Sequence, residues 1–556
     1  MTRWNQPLRH GLIVVAAFFV LNALLSMTNW WPTPFVKLDA RLAPEFVLLW
    51  VVILVASAWR SWRNKGDASS PAPWFLFALT WVYFVLVIGR YFDTTAPALF
   101  ARDLNLYWDI QQIPRVMYAT LRSYPLWVSL LIVVSLAALF AALWYSLRWA
   151  IRILALQAAP KLVTSLWAWA ITACALAASI ANFNGVQATW PYMSKPASPT
   201  YVHQAKLLWS TMNESALQKN LPPSPAFDSD LALLRGSDVM VVFAESYGQI
   251  AYGIPEINEG LRDSRQALAA QVKASGMESV SALVGSTTYG GRSELAHVAF
   301  LTGMDTSSPW VHDLLISTER PVLTELFSKQ GFEVHGLYPA LSWDWPEAKF
   351  YRFNRFMDSR DMNWRGPKLG YWSLPDQYTL ARYFDKFPIT AQSPPRFLFF
   401  PTITSHLPFH PVPPYLENWA DILREAPFNA AQLADIAAQK EQWFNMRPAY
   451  TAMLRYNYDF LRGWVAQPRQ RDMTFIVIGD HQPAANVTGE GASWDVPVHI
   501  ISTKPQLLER FKSQGFVSGL EPQPQAVGKM FDLTRMLMNA ADSKGKASSK
   551  LEAKAP

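Results

Sequence analysis

Apolar positions fall into two regimes along this chain. In the first third they run almost unbroken: GLIVVAAFFVLNALLSMTNWW from Gly11, EFVLLWVVILVASAW from Glu45, PWFLFALTWVYFVLVIG from Pro73, PLWVSLLIVVSLAALFAALWY from Pro125 and VTSLWAWAITACALAASIA from Val163. Each approaches the roughly 20 residues a helix needs to cross the hydrocarbon core of a bilayer. Tryptophan and tyrosine gather at the ends of these runs, as they do where a membrane meets water. Five membrane helices are therefore predicted, rather than five buried helices of a soluble core. The first run is too long for a removed signal peptide and lacks a clear small-residue cleavage site.

Beyond this region the pattern changes. Short apolar runs, VMVVFA at Val239, FEVHGLY at Phe332, RFLFFPTIT at Arg396, TFIVIG at Thr474 and VPVHIIS at Val496, are separated by helical stretches. Continuous β-branched and aromatic runs predict a largely parallel sheet buried on both faces, with ligands bound at the carboxyl edge of its strands. The expected plan is a five-helix transmembrane domain over 1–184 and a proline-, serine- and asparagine-rich linker over 185–235, with a helical patch from Tyr201 to Gln218. A catalytic α/β domain follows over 236–540, then a disordered tail over 541–556. Between the third and fourth spans, Arg90 to Tyr124 interleaves apolar and charged residues and reads either as a helix lying in the membrane interface or as a connecting loop.

Charge orients this plan. Arg3 and Arg9 precede the first span, Arg60, Arg63 and Lys65 follow the second, and Arg148, Arg152 and Lys161 follow the fourth, which puts the N-terminus in the cytoplasm. An odd number of spans then delivers everything after about Asn184 to the extracytoplasmic side. The single cysteine, Cys174, lies in the fifth span, so the C-terminal domain has neither a disulfide nor a thiolate for a metal. A net charge of +7 suits adhesion to anionic headgroups but forms no concentrated basic stripe, and nucleic acid is not an expected partner.

Three short stretches carry candidate chemistry. Glu245 comes directly after the run Val239 to Ala244, where a buried carboxylate needs a cation, a proton or water. Asp480 and His481 follow a second apolar strand and Gly479, and together offer an oxygen and an imidazole nitrogen suited to zinc or manganese. In GSTTYGGRSELAHVAFLTGM, from Gly285, Ser293 falls at the expected start of a helix over Glu294 to Leu301, whose free amides favour a phosphate. Ser293 is either a plain N-cap or a nucleophile. Contact with a divalent ion would lower the pKa of its hydroxyl enough for attack on phosphorus.

Taken together, VMVVFAESYG, GGRSELAHVAFLTGM, TITSHLPFH and FIVIGDHQP resemble, in order and spacing, the lipoteichoic acid synthase and phosphoglycerol transferase branch of the alkaline phosphatase (sulfatase-like) superfamily. The likeness covers roughly 235 to 540, and the five-span region is also similar to that of these enzymes. It implies an extracytoplasmic α/β sandwich of alkaline phosphatase type, anchored in the cytoplasmic (inner) membrane and monomeric. One divalent ion, Mn2+ or Zn2+, would be held by Glu245, Asp480, His481 and the nucleophile Ser293, with His406 on the substrate phosphate. The implied reaction moves a phosphoglycerol headgroup from a membrane phospholipid to a glycan or glycolipid acceptor through a phospho-serine intermediate.

The chain departs from that branch at several points. Threonine is usual where Ser293 stands, and glutamate is often found where His297 stands, which leaves His297 either a group supporting the site or a helix-face residue. The headgroup tryptophan and arginine correspond to Ser342-Trp343-Asp344-Trp345, with Trp345 where arginine is expected; Trp343 is retained, and Arg352 or Arg355 could supply the charge. True sulfatases need a C/S-x-P-x-R context that Ser293 lacks. Phosphoethanolamine transferases of the superfamily tend to carry disulfides that this domain cannot form, so ethanolamine transfer is the alternative rather than the first reading. Two rivals of other classes are a serine hydrolase using Ser246 in Ala244-Glu245-Ser246-Tyr247-Gly248, and an inactive membrane scaffold.

Overall fold

The computed structural model describes residues 5–544 apart from 31–32, 65–69, 101–103, 105, 107–108, 111–112, 115–116, 118–124, 184–191, 213–220, 222–223, 343–347, 370–373 and 443–444. The chain divides into two units, Met1–Asn213 and Glu214–Pro556.

The first unit is helical: α1 (Asn5–Ser26), α2 (Pro44–Arg63), α3 (Pro73–Phe100), α4 (Leu126–Ile153), α5 (Leu166–Phe183) and α6 (Ser198–Met212). The helix of α4 continues through a π-turn at Leu154–Ala158 to Leu162. Five of these helices are long and apolar enough to cross a membrane, in the places the sequence predicts. On α4 the consecutive residues Leu130, Leu131, Ile132, Val133 and Val134 are all exposed, and a helix apolar all round suits lipid rather than water. The expected interfacial segment is helical up to Phe100 as the end of α3, and most of 101–124 lies outside the described residues.

Part of the expected linker belongs to this unit. Glu45, 4% exposed at the start of α2, accepts hydrogen bonds from the Ala197 and Ser198 amides and from Ser198 Oγ, fixing the N-terminus of α6. Asp93 pairs with both Arg90 and Lys195 at 3.5 Å. A buried carboxylate demands such partners, and that demand, invisible in a proline- and serine-rich stretch, folds 192–212 onto the bundle.

The second unit is built on a nine-stranded sheet. Its strands are β1 (Asp238–Ala244), β2 (Glu278–Gly285), β3 (Glu333–Tyr338), β4 (Arg355–Asp358), β5 (Arg396–Pro401), β6 (Met473–Gly479), β7 (Asp495–Ser502), β8 (Val517–Ser518) and β9 (Ala526–Lys529). They lie in the order β8-β2-β7-β6-β1-β5-β3-β4, with β9 also on β2. From β6 to β4 the strands are parallel. The predicted largely parallel sheet is interrupted at β7, which pairs antiparallel with both β6 and β2, so that β2 runs in the same sense as β6. Between β6 and β7 the chain forms only the four-residue helix Ala485–Thr488, with no helix of the kind that usually carries a parallel crossover, and it returns beside β6 in the opposite sense. β2 itself, ESVSALVG, was not anticipated, because its serines break the apolar run.

Helices α7 (Pro255–Ala274), α8 (Ser293–Thr302), α9 (Asp376–Lys386), α10 (Arg447–Val465), α11 (Pro505–Lys512) and α12 (Asp532–Ala541) cover the sheet. Strand alternation sorts its two cores. Met240, Val242, Phe400, Phe475 and Val477 pack with α7, α9 and α10, while Val241, Phe243, Phe399, Ile476 and Ile478 pack with α8, α11 and α12. This is the α/β sandwich expected from runs apolar at every position.

The edges of the unit shift outward from the expected 236–540. Leu231 and Leu234 are fully buried, and Ser229 Oγ donates to the Met538 carbonyl. At the other end the Ser543 amide donates to Asp230, so residues as far as Ser543 pack on the unit; 545–556 lie outside the described residues.

Candidate active site

Strand pairing brings the acidic groups together. On neighbouring parallel strands, Ala244 ends β1 opposite Gly479, which ends β6. The next residues, Glu245 and Asp480, therefore leave the sheet one strand spacing apart, at the carboxyl edge where ligands bind in such sheets. The Asp480 amide still reaches the Ala244 carbonyl at 3.3 Å. Asp480 Oδ1 then accepts from the Ser246 amide at 2.8 Å and the His481 amide at 2.6 Å, which fixes this carboxylate. Glu245 is fixed from the other side: its amide donates to Thr402 Oγ1, its carbonyl accepts from Ser405 Oγ, and Ser246 Oγ donates to its Oε1 at 2.8 Å.

His481 donates from Nδ1 to the Gln482 carbonyl at 2.8 Å, which leaves Nε2 with its lone pair turned inward. That nitrogen lies 3.5 Å from Glu245 Oε1 and 3.7 Å from Asp480 Oδ2. Ligand atoms of Glu245, Asp480 and His481 all lie within 4.8 Å of one another, and all three residues are buried.

Ser293 reaches the same place from the helical layer. It is the first residue of α8, after Arg292 in left-handed conformation (φ 64°), and no side chain caps the helix. The plain N-cap alternative is thus not what its hydroxyl does. Ser293 Oγ stands 3.3 Å from Glu245 Oε2, to which it donates, and 3.3 Å from His481 Nε2.

The electrostatics fit a cation. Burial pushes Asp480 up to about 7, and the Glu245 charge adds to that. Burial pushes Glu245 the same way, but His481, His406 and the hydrogen bond from Ser246 outweigh it and hold Glu245 below its ordinary value. His481 is raised: its own burial opposes this, and the charges of Asp480 and Glu245 overcome it. Two buried carboxylates and one inward imidazole lone pair, with no lysine or arginine bonded to them among the described residues, are a donor set of oxygen and nitrogen for a divalent ion.

The sulfatase family model matches residues 239–516, half of the chain, and this span holds Glu245, Ser293, His406, Asp480 and His481. The chain belongs to the sulfatase family. No curated protein matches it. Among solved structures, it is similar to an alkaline phosphatase superfamily protein from Vibrio parahaemolyticus at 15% identity, covering 58% of this chain and 69% of that one, with a TM-score of 0.35. It is also similar to the lipoteichoic acid synthase LtaP from Listeria monocytogenes (12% identity, 60% and 77% covered, TM-score 0.37). A third is the Streptococcus pyogenes phosphoglycerol transferase GacH in complex with sn-glycerol-1-phosphate (13% identity, 61% and 81% covered, TM-score 0.36).

Other residues singled out in the sequence of this sulfatase-family chain are placed as follows. His406 follows Ser405 on the loop after β5, with Nδ1 on the Leu407 carbonyl, and lies near enough to Glu245 to hold down its pKa. His297 sits beneath the site against the rings of Phe243 (4.6 Å) and Phe399 (5.5 Å), and burial drives it down to about 3. Ser246 has the positive φ of a nucleophile elbow (55°), yet it is buried and its hydroxyl is spent on Glu245.

The two arginines are not brought to the cluster. Arg352 pairs with Glu325 and donates to the Glu319 and Arg320 carbonyls, and Arg355, at the amino end of β4, lies 3.6 Å from Glu333. Trp343 and Trp345 lie outside the described residues. Sequence reading missed the supporting shell of Thr402, Ser405 and Asn457, whose Nδ2 holds Ser405 Oγ at 2.8 Å. Ser405 stood inside TITSHLPFH, but nothing in one sequence marks a hydroxyl as a brace.

Proposed function

We propose that the protein is a membrane-anchored, metal-dependent transferase. It moves a phosphoglycerol headgroup from a membrane phospholipid to a hydroxyl on a glycan or glycolipid, with Ser293 as the nucleophile. The observation that carries this reading is the convergence of Ser293 Oγ on Glu245 Oε2 and His481 Nε2, each at 3.3 Å. It is joined by membership of the sulfatase family and by the motif resemblance to the phosphoglycerol transferase branch.

Glu245, Asp480 and His481 would hold one divalent ion, Mn2+ or Zn2+, which when bound lowers the pKa of a neighbouring hydroxyl and offsets charge on a phosphoryl group. Glu245 Oε2 accepts the Ser293 proton and so turns an oxygen lone pair toward the substrate. Ser293 Oγ attacks phosphorus and forms an O–P bond, the P–O bond to diacylglycerol breaks, and the departing oxygen takes up the proton that Ser293 gave to Glu245. The amide end of α8 faces the charge that develops on the phosphoryl oxygens, and His406 holds one of them. An acceptor hydroxyl then displaces Ser293 from the glycerophosphoryl-serine, and Ser293 regains its proton.

Five helices long and apolar enough to cross a membrane support a position in the cytoplasmic membrane, where the donor is confined, and the distribution of basic residues favours a catalytic unit on the extracytoplasmic or periplasmic side. The reading is tested by incubating the purified full-length protein, loaded with manganese or zinc, with phosphatidylglycerol or phosphatidylethanolamine and weighing the peptide that contains Ser293. A glycerophosphoryl adduct, absent in Ser293→Ala, is the expected result. A phosphoethanolamine adduct changes the donor, and no adduct with either lipid ends the reading.

A further inference from the structure

Residue 292 is an arginine where the backbone favours a smaller residue. Gly290, Gly291 and Arg292 are three consecutive residues with positive φ, at 64°, 140° and 64°. Glycine takes up that conformation freely, whereas a side chain there crowds the following carbonyl. Arg292 is also the N-cap of α8, a place that serine, threonine, aspartate, asparagine or glycine fill better, and its side chain caps nothing. Two local preferences are set aside at the position next to Ser293. A residue held against its backbone preference at such a site directs attention to what its side chain does there.

The Arg292 side chain meets Glu294 across the nucleophile, with Nε donating to Glu294 Oε1 at 3.2 Å. That carboxylate lies near enough to His481 to help raise its pKa, so the guanidinium stands at the edge of the acidic cluster, its side chain 16% exposed. The two terminal nitrogens bond to no described residue, and neither is sealed from water. They remain open donors. Adjacent Cα atoms are only about 3.8 Å apart, which puts a phosphoryl group on Ser293 Oγ within an arginine's reach.

Charge gives these donors a task. One divalent ion would balance Glu245 and Asp480, and a phosphodiester brings one negative charge more. No lysine or arginine is bonded to Glu245, Asp480 or His481 among the described residues. A guanidinium whose Nε is already held presents its other two nitrogens as a planar fork, the shape that matches two oxygens of a phosphoryl group.

We propose that Arg292 is a substrate ligand, its terminal nitrogens donating to the nonbridging oxygens of the phosphoryl group that Ser293 attacks. The proposal rests on the phosphoryl-transfer reading of Ser293, and it adds a contact that the motif resemblance does not supply.

The test is calorimetric titration of the full-length, manganese-loaded protein with inorganic phosphate, beside thermal unfolding of the same samples. Arg292→Gly suits both the positive φ and the cap, so it should fold and melt no lower than the parent. It should nonetheless bind phosphate about tenfold or more weakly, while the metal-free variant takes up manganese as tightly as the parent. Arg292→Lys, which keeps the charge and loses the fork, should fall between the two.

Unchanged phosphate affinity in Arg292→Gly overturns the proposal, as does a parent that binds no phosphate. A lower melting temperature, with phosphate and manganese weakened together, shows a structural role alone and overturns it as well. The Ser293 adduct separates this contact from the transferase reading. Selective loss of phosphate affinity in Arg292→Gly, with no adduct in the parent from phosphatidylglycerol or phosphatidylethanolamine, leaves Arg292 as a phosphate ligand and removes the transferase. An adduct formed by Arg292→Gly at the parental rate keeps the transferase and removes Arg292 from its substrate contacts.

Discussion

The carbonyl oxygen of Tyr247 occupies the space where a Cβ on Gly479 would have to stand. Backbone atoms cannot swing aside as the end of a side chain can, so residue 479 must lack a side chain for the turn after β1 to lie against the end of β6. Gly479→Ala is expected to push apart the two turns that carry Glu245 and Asp480. We expect a loss of about 1–3 kcal/mol in unfolding free energy and, in any protein that still folds, a loss of divalent-ion affinity measurable by calorimetry.

Ser293 and Ser246 both touch Glu245, but their tasks differ. Ser293→Ala should lower kcat on the order of a thousandfold or more while changing metal affinity only a few-fold, and Ser293→Thr should stay active. Ser246→Ala removes the hydrogen bond that orients Glu245, so it should weaken metal binding and reduce kcat by about tenfold without preventing the Ser293 adduct. Total loss in Ser246→Ala with intact turnover in Ser293→Ala would instead favour the hydrolase reading.

Metal and charge can be separated at Asp480. Asparagine keeps the oxygen that accepts from the Ser246 and His481 amides but removes a buried negative charge. Without divalent ions, Asp480→Asn should be more stable than the parent by about 1–3 kcal/mol. Adding manganese or zinc should stabilise the parent by about 2.7 kcal/mol at a hundredfold excess over Kd, raising its melting temperature, and leave Asp480→Asn unmoved. Chelator treatment followed by thermal unfolding with and without metal reads both effects.

Acid should weaken the catalytic unit through His499. This buried imidazole meets Ser281 Oγ at 2.6 Å and Tyr247 Oη at 3.0 Å, and burial, with a smaller contribution from Arg265, drives it down to about 3. Above its ordinary value of 6.5 both folded and unfolded chains hold it neutral. Below that value the unfolded chain takes a proton that the folded chain refuses until about pH 3. Stability is therefore lost as pH falls through this window, by up to about 1.4 kcal/mol per pH unit from this group. Denaturation of His499→Gln between these limits should show a shallower acid slope and a lower plateau at pH 8.

Arg352 and Arg355 provide a negative prediction. Both are engaged by acidic residues away from the cluster, so either one changed to alanine should leave kcat/KM within about threefold of the parent. The cost of about 1 kcal/mol or less expected for half-exposed pairs should appear in stability instead. A large rise in KM in either variant would return it to the list of headgroup contacts.

Much of this architecture was legible because burial is a local demand. Each of the five long apolar runs must find an apolar environment whatever its neighbours are, and VMVVFA and TFIVIG must be covered on both faces, so helices and strands could be read residue by residue. The acidic residues that follow those strands were legible for the same reason, since a carboxylate at the end of a buried run needs compensation. Two kinds of feature were not legible. The antiparallel course of β7 goes with the lack of a crossover helix between it and β6. The folding of 192–212 onto the helices depends on one carboxylate, Glu45, far away in sequence.

The sequence by itself determined most of the elements and which residues offer carboxylate, imidazole and hydroxyl donors at their ends, because propensity, burial and donor type belong to each stretch alone. Only the tertiary structure decided that they meet. Ser246 and Asp480, 234 positions apart, are joined because β1 chose β6 as its neighbour and aligned Ala244 with Gly479, and Ser293 arrives from a helix on a different layer. Register is a long-range choice made by packing the two cores together, and no local pattern encodes it.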